Sequence, residues 1–269
     1  MLFSLAFLGG LAWGVGTSTV RDFERAAAND IRAKLRGPQM EVSVKTKLNG
    51  VIGGALGDMK RVTIRAEHFA TDGLPLFTEP DRSQKGLVRD LRLELVDFEL
   101  AGLRVERLSA SIPNCRFDYS LAVSKRQIRL SKSGVGVGTV VLRDKDLEAF
   151  ILRKFKEIKR VTFRIEDGRA VVEGYGEFLV ISTNFSVTAK LTSLDGRTLE
   201  LTDPTILFDG RPADKAASRV ILDTLNPVVD LPKDLGLYDA VQVKGVRLKP
   251  GFLEAWGDTK IPERPQDKR

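Results

Sequence analysis

Apolar positions in Thr139–Gly168 change their spacing in a way that predicts strand, helix, strand and turn in succession. A β-branched run ends at Leu142, and Asp144 then stands at the N-cap position of a helix. Apolar residues recur every three or four positions through this helix and every second position in the strand after it. The helix stripe is Leu147, Phe150, Ile151, Phe155 and Ile158, and the strand face is Val161, Phe163 and Ile165. Asp167-Gly168 then predicts a hairpin turn.

An earlier segment resembles the end of this unit. Met59–Glu67 matches Ile158–Glu166 almost position for position, and both contain Lys-Arg-Val-Thr. Ahead of the first copy, Val42–Leu48 predicts a strand and Asn49–Gly57 a short helix weakened by its glycines. The pattern favours an internal strand–helix–strand duplication within one domain, with the two matching strands in equivalent places. Charged alternating strands also resemble one another by chance, and that interpretation stays open.

The rest of the chain is dominated by alternating apolar and polar residues, which predicts strands. Two further helices are expected, over Thr17–Arg36 and Pro212–Leu225. So few helices cannot cover both faces of so many strands, and the pattern therefore predicts an α+β fold whose sheet curls on itself. The predicted strands include a long alternating set through Phe117, Tyr119, Leu121 and Val123, the segments Ala170–Val180, Ser182–Thr192 and Arg197–Leu207, and a hairpin of Ala240–Leu248 with Phe252–Trp256.

Residues 1–20 carry no charged side chain and are mostly apolar, which predicts a membrane anchor or a signal segment. An ordinary buried N-terminal helix is the other interpretation of the same residues. Residues 21–261 are the predicted single domain, because a chain of 269 residues can bury a substantial core. Residues 262–269 are predicted to be a polar tail.

The chain is basic, with a net charge of +7 and a pI near 9.5. Such a charge suits nucleic acid or an anionic membrane surface, and a merely basic exterior gives the same value. The Lys and Arg residues are interleaved with Asp and Glu, without a long basic tract or an aromatic–basic RNA-binding motif, so we expect no nucleic acid partner. Cys115 is the only cysteine, which excludes an intramolecular disulfide and predicts a small buried apolar residue.

Motifs of catalysis are absent from the sequence. It has one histidine, His68, and no nucleophile elbow, phosphate-binding loop or zinc-ligand spacing. Gly134–Gly138 superficially resembles a dinucleotide fingerprint, but it leads into a strand and lacks the spacing, so it predicts close strand packing or a bend. We therefore expect no enzyme, no catalytic residues, no metal site and no cofactor. A glycan hydrolase that uses only carboxylates stays open as a rival, and it requires an Asp/Glu pair in a cleft.

The C-terminal part of the chain carries a family resemblance. Leu225–Pro232, Val241–Leu248 and Gly251–Gly257 resemble the LmeA-type phospholipid-binding family of bacterial envelope proteins. The likeness extends over roughly Arg21 to Pro262 as a diffuse pattern without invariant residues. It implies a curved, largely antiparallel sheet that helices close into a tube, similar to tubular lipid-binding domains. It also implies a phospholipid or related amphipathic lipid as ligand, on the periplasmic side of the inner membrane.

The lipid hypothesis predicts a specific site. Acyl chains would lie in an apolar groove formed by Leu147, Phe150, Ile151, Phe155, Val161, Phe163 and Ile165. An anionic head group would be held at the mouth by Lys60, Arg61, Arg153, Lys154, Lys156, Lys159 and Arg160. A packed core and a solvated basic face would give the same residues. The rival from another class is a structural envelope module with a solid core and a protein partner, and a cavity of several hundred Å³ would argue against it.

Overall fold

A computed structural model of the chain describes residues 17–73, 83–178 and 181–262. The helices are α1 (Thr17–Arg32), α2 (Gly50–Ala55), α3 (Tyr119–Lys125), α4 (Asp144–Lys154), α5 (Lys215–Leu225) and α6 (Leu231–Leu235). The strands are β1 (Glu41–Leu48), β2 (Asp58–Glu67), β3 (Ala70–Thr71), β4 (Gly86–Leu100), β5 (Leu103–Phe117), β6 (Leu130–Lys132), β7 (Gly136–Arg143), β8 (Ile158–Glu166), β9 (Arg169–Phe178), β10 (Ile181–Thr192), β11 (Thr198–Phe208), β12 (Arg211–Pro212), β13 (Val229–Asp230), β14 (Val241–Lys249) and β15 (Phe252–Thr259).

The strands form two sheets. The larger has the order β1-β2-β4-β5-β7-β15-β14, with β3 added to β4 and β6 added to β5. It curls into a half-barrel, and its described pairs are antiparallel except for β2 and β3, which run parallel to β4. The smaller sheet has the order β12-β11-β10-β9-β8, with β13 added to β11. The predicted α+β class with a curved, largely antiparallel sheet is confirmed.

The smaller sheet meets the free edge strand of the larger sheet through its turns. The Val243 amide of β14 donates to the Gly196 carbonyl at 2.8 Å, and the Gly251 amide donates to the Ile165 carbonyl at 2.9 Å. One continuous hydrophobic core runs between the sheets and under α1 and α4. Cys115 is fully buried in that core, as predicted, and burial raises the pKa of its thiol to about 12.

Several predicted elements have different bounds in the structure. The helix expected over Thr17–Arg36 ends at Arg32. The N-cap of α4 is Arg143 and not Asp144, and the helix ends at Lys154, so Phe155 and Ile158 of the predicted stripe lie beyond it.

The predicted strand through Phe117–Val123 is wrong, because β5 ends at Phe117 and α3 follows. Asp118 starts that helix as an N-cap by accepting the Leu121 amide at 3.1 Å, which alternation alone does not reveal. The helix expected from Pro212 starts at Lys215, because Asp214 caps it and Pro212 pairs with β11 instead.

The strand–helix–strand order does occur twice, as β1–α2–β2 and β7–α4–β8. The two matching strands do not occupy equivalent places, however. β2 lies between β1 and β4 in the larger sheet, whereas β8 is an edge strand that pairs with β9 in the smaller one. β1 and β2 pair with each other, but β7 and β8 belong to different sheets. The prediction of equivalent surroundings is therefore wrong.

The predicted terminal segments lie largely outside the described residues. The structure describes residues 17–20 as the start of α1, and of the predicted tail it describes only Pro262. Within the described ranges, no helix combines the length and apolarity that crossing a membrane requires. The glycine prediction for β7 is confirmed at Gly136, where an added Cβ would lie 2.0 Å from the Ser111 carbonyl oxygen of the neighbouring strand.

Candidate functional site

The structure brings together the seven apolar residues predicted to line a groove, but it places them in the packed core. All are at most 8% exposed, on α4, on β8 and at Phe155 between them. Glu148 of α4 accepts the Phe163 backbone amide at 2.9 Å, which fixes the helix along the β8 edge. An apolar cavity does exist, in another part of the molecule, and none of the seven residues lines it. Their contact with lipid stays a prediction.

The seven predicted head-group residues are dispersed. Lys60 and Arg61 lie on β2 in the larger sheet, and the other five lie on α4, on β8 or between them. Arg61 is bound to Asp90 at 2.7 Å, and Lys159 lies 3.4 Å from Glu177. The others have varied surroundings: Arg153 donates to the Gly102 carbonyl, Arg160 reaches Asn184 at 3.5 Å, and Lys60 and Lys156 are exposed.

Lys154 differs from the other six because it is largely buried in a network of its own. Its Nζ lies 2.6 Å from Asp234 Oδ2 and 2.6 Å from the Pro227 carbonyl oxygen. The two charged side chains are only 20% and 12% exposed. Asp234 also accepts the Asp230 amide at 2.8 Å. Lys154 therefore ties the end of α4 to the segment that contains β13 and α6.

The apolar cavity lies between the inner face of the larger sheet and that same segment. It has a volume of about 110 Å³. Its floor contains a row of small residues, because Ala110 of β5 stands opposite Gly138 of β7, and Gly138 stands opposite Gly257 of β15. Larger apolar residues surround this row, namely Phe98, Leu100, Leu103, Val105, Leu108, Val140, Leu142, Val241, Val243 and Ala255. The cavity exists because β5, β7 and β15 carry only alanine or glycine at these three paired positions.

The cavity is covered by residues 226–237, which we call the roof. The roof contributes Val229, Leu231, Leu235 and Leu237 to the cavity wall. Its backbone is fixed by side chains: Asn226 bonds both the amide and the carbonyl of Leu201, at 2.8 and 3.0 Å. Asp230 caps α6 by accepting the Lys233 amide, and Gly236 ends the helix in the left-handed conformation at φ 64°. The roof is thus short and irregular, and it is held both by these polar contacts and by its buried apolar side chains.

Charge near the cavity is limited to its rim. Asp258 is among the lining residues, and its carboxylate lies 2.7 Å from Lys244 Nζ. The Arg247 guanidinium lies 5.3 Å from the centre of the Trp256 ring, a second rim residue that is 39% exposed. Side chains alternate along β15, so Trp256 and Asp258 project to the face opposite Ala255 and Gly257, and the two cations lie with them on the outer face of the sheet.

A polar depression on the larger sheet is the nearest match to the carboxylate rival. It is lined by Asp97, Glu106 and Asp146 among others, and desolvation raises the pKa of Asp146. Asp97 is paired with Arg104 at 2.7 Å, and Glu106 is paired with Arg143. Two of the three carboxylates are thus engaged in ion pairs, which does not favour a catalytic acid–base pair. Within the described part of the chain, no group of three His, Cys, Asp or Glu side chains is placed to hold a metal ion.

Sequence reasoning missed the floor and the roof as a site, although it identified several of their strands. Gly138 was attributed to strand packing, and Gly257 lies in a segment that contributed only to the resemblance. A glycine inside a strand marks a place where something approaches closely or where space is left. Two such glycines in register across β7 and β15 are the signal, but that register becomes visible only once the strands are paired.

Comparison with known proteins places the chain in a family. No curated protein and no solved structure gives a match. The sequence model of one family, described as LmeA-like phospholipid-binding, matches residues 84–255. That range covers more than half of the chain and contains the whole roof and most of the floor. This protein therefore belongs to the LmeA-like phospholipid-binding family.

Proposed function

We propose that the protein binds phospholipid without chemical turnover in the bacterial cell envelope, with an acyl chain between the roof and the floor row of Ala110, Gly138 and Gly257. The observation that carries the proposal is an apolar cavity within the part of the chain that matches a phospholipid-binding family. Burying an acyl chain there stabilises the complex by about 0.8 kcal/mol per methylene group.

The size of the cavity makes the roof part of the binding step. Pockets for small molecules typically have volumes of about 300–1,000 Å³. The cavity of about 110 Å³ therefore accommodates only a short stretch of acyl chain unless the roof moves outward. The roof is suited to such movement, because it is short and its backbone pairs with β11 over the two residues of β13, besides the side-chain bonds of Lys154 and Asn226. Entry of lipid then exchanges roof–floor contacts for chain–floor contacts.

The envelope location and the absence of catalysis complete the proposal. The uncharged apolar segment of residues 1–20 supports export, with the domain tethered to the periplasmic side of the inner membrane or released. The ion-paired Asp97 and Glu106 in the polar depression support a binding role over hydrolysis. The head-group contacts of the seven cations that the sequence suggested stay a prediction, because the fold disperses them, and Lys244 and Arg247 near the cavity are paired with Asp258 and Glu254.

One observation favours a second function, that of a structural envelope module with a protein partner. The cavity is smaller than the several hundred Å³ that would exclude such a module. The two functions differ in what the purified protein contains. A lipid-binding protein carries lipid whose amount depends on the cavity, whereas a structural module carries none.

The test is mass spectrometry of organic extracts from the purified full chain and from Gly138→Val. A Cβ added at Gly138 would meet its neighbours no closer than 3.6 Å, so valine fits the strand and its methyl groups project into the cavity. We expect co-purified phospholipid to fall about tenfold, because overfilling a packed site costs about 1–3 kcal/mol. Folding stability should stay within about 1 kcal/mol of wild type, since valine is a good strand former.

Val137→Ile is the matched control. Val137 is the neighbouring residue on β7, is 66% exposed and points to the outer face. The Val137→Ile substitution should leave the lipid content unchanged. Absence of phospholipid from the wild-type protein, or equal content in all three proteins, would reject the cavity as the lipid site and favour the structural module.

A further inference from the structure

One end of the larger sheet exposes two large apolar side chains, on two short segments that contact each other. Leu56, which follows α2, is 71% exposed, and Val123 of α3 is 64% exposed. α2 connects β1 to β2, and α3 follows the end of β5, so both short helices lie at the same end of the sheet. Such side chains, when they occur together at the tip of a domain, indicate a contact surface.

The two helices are packed against each other. Gly57 lies directly under the Tyr119 ring, since an added Cβ there would be 2.6 Å from Tyr119 Cδ2. The Tyr119 hydroxyl donates to the Gly54 carbonyl at 3.5 Å. The interior side of α3 is anchored by buried Leu121 and Ala122, which leaves Val123 facing outward. Leu56 and Val123 therefore belong to one rigid tip.

Cations surround this tip. Lys47 lies near the end of β1, Lys60 lies near the start of β2, and Lys125 and Arg126 lie at the end of α3. All four are exposed, and none forms an ion pair with another residue that the structure describes. Their charge is thus available to an outside partner. Exposed leucine and valine beside exposed lysine and arginine are the features of a surface that contacts anionic lipid head groups.

The course of α1 leads to the same end of the molecule. Glu24 of α1 accepts the Thr46 amide near the end of β1 at 2.6 Å. Arg36, after the helix, pairs with Ala70 at the opposite end of the sheet. The start of α1 therefore points toward α2. The sixteen residues that precede α1 in the sequence, Met1–Gly16, contain no charged side chain and are mostly apolar, and α1 begins at this end of the domain.

We propose that the tip formed by Leu56, Val123 and the four cations docks on an anionic bilayer surface. Leucine and valine insert among the head groups, while Lys47, Lys60, Lys125 and Arg126 approach the phosphates. This contact lies on the outer surface and is independent of the cavity under the roof. It orients the domain on the membrane whether or not the cavity holds lipid.

The chain offers a direct test with a fluorescent label. Cys115 is fully buried and the pKa of its thiol is raised to about 12, so it does not compete for a thiol-reactive dye in the folded protein. Leu56→Cys and Val123→Cys place the dye at the tip of the full chain. Leu194→Cys is the matched control, because Leu194 is 75% exposed on the turn between β10 and β11 in the smaller sheet.

The labelled proteins are mixed with vesicles of phosphatidylglycerol in phosphatidylcholine, or of phosphatidylcholine alone. With the anionic vesicles we expect a blue shift at positions 56 and 123 and none at 194, and added salt should reduce the shift. Lys47→Gln and Lys125→Gln, in the Leu56→Cys background, should each weaken binding about fivefold, as a cation near the surface contributes about 1 kcal/mol. Lys190→Gln, on β10, should not.

The results decide between clear alternatives. A dye at position 194 that shifts as much as those at the tip would overturn the proposal, as would no shift at the tip. Equal shifts with neutral and anionic vesicles would overturn the role of the four cations. Gly138→Val should still dock normally, so a failure of the lipid cavity and a failure of the docking surface give different results.

Discussion

Two regions of this protein have the same apolar pattern but are packed differently. In β7–α4–β8, large side chains such as Phe150 of the helix and Phe163 of the strand are almost fully buried, and neither lines the apolar cavity. Between the roof and the floor, Ala110 and the two glycines in register with it face a helix of only five residues. The comparison teaches that space inside this fold depends on residue size at facing positions, because both regions are lined by apolar residues.

Lys154 connects the two regions. It is the last residue of α4, and its ammonium group holds the roof through Asp234 and the carbonyls of Pro227 and Val228. The roof is therefore attached to the packed β7–α4–β8 unit through Lys154. Truncating side chains in β7–α4–β8 should lower the free energy of unfolding, whereas loosening the roof should change the access of lipid to the cavity.

Phe150→Ala should have the largest effect. The ring is 4% exposed in the middle of α4, with the Arg153 guanidinium 5.6 Å from its centre. Truncating a fully packed phenylalanine costs about 3–5 kcal/mol. Chemical denaturation of the purified full chain measures the loss.

Phe150→Trp refines the same test from the opposite direction. A packed site should resist the larger ring by about 1–3 kcal/mol. If both variants were nearly as stable as wild type, or if Phe150→Trp displaced co-purified lipid, then α4 would border open space. The groove predicted from the sequence would then be the lipid site instead of the cavity under the roof.

Lys154→Ala should have the next largest effect. It leaves the Asp234 carboxylate, which is 12% exposed, without its cation, and such losses cost about 3 kcal/mol. Hydrogen exchange should quicken at the amides of residues 226–237 more than in β8 and β9. Lys190→Ala is the control, because its pair with Asp203 is exposed and should contribute little. Equal protection of the roof in wild type and Lys154→Ala would show that Lys154 does not fasten it.

Much of the fold could be predicted because the deciding signals are local. The stripe from Leu147 predicted α4, and the alternation at Val161–Ile165 predicted β8. Asp118 shows the limit of that approach, since one capping side chain converted an alternating segment into α3.

The site could not be predicted, because it depends on long-range register. Ala110, Gly138 and Gly257 are far apart in the chain and become a floor only when β5, β7 and β15 pair. Ion pairing could not be predicted from the sequence either. Arg61 and Lys154 were expected to hold a head group, but in the fold they pair with Asp90 and Asp234. The resemblance indicated the correct segments, but family membership carried no information on which side chains leave space.

The smallest expected effect comes from one substitution made in both regions, Val172→Ala and Val140→Ala. Val172 is fully buried in β9 of the smaller sheet, between Phe163 and Val187 of the adjacent strands. Val140 lies on β7 and lines the cavity. The lost transfer energy is about 1.6 kcal/mol for the two methyl groups of buried Val172 and smaller for Val140, which is only half-buried. The packed site adds the cost of a new cavity, whereas the existing cavity only enlarges, so we expect about 2–3 kcal/mol for Val172→Ala and about 1 for Val140→Ala. Urea titrations of both variants give the difference. Equal losses would mean that Val140 is packed as tightly as Val172 and that the roof is closed on a solid core, which is the packing that a structural module requires.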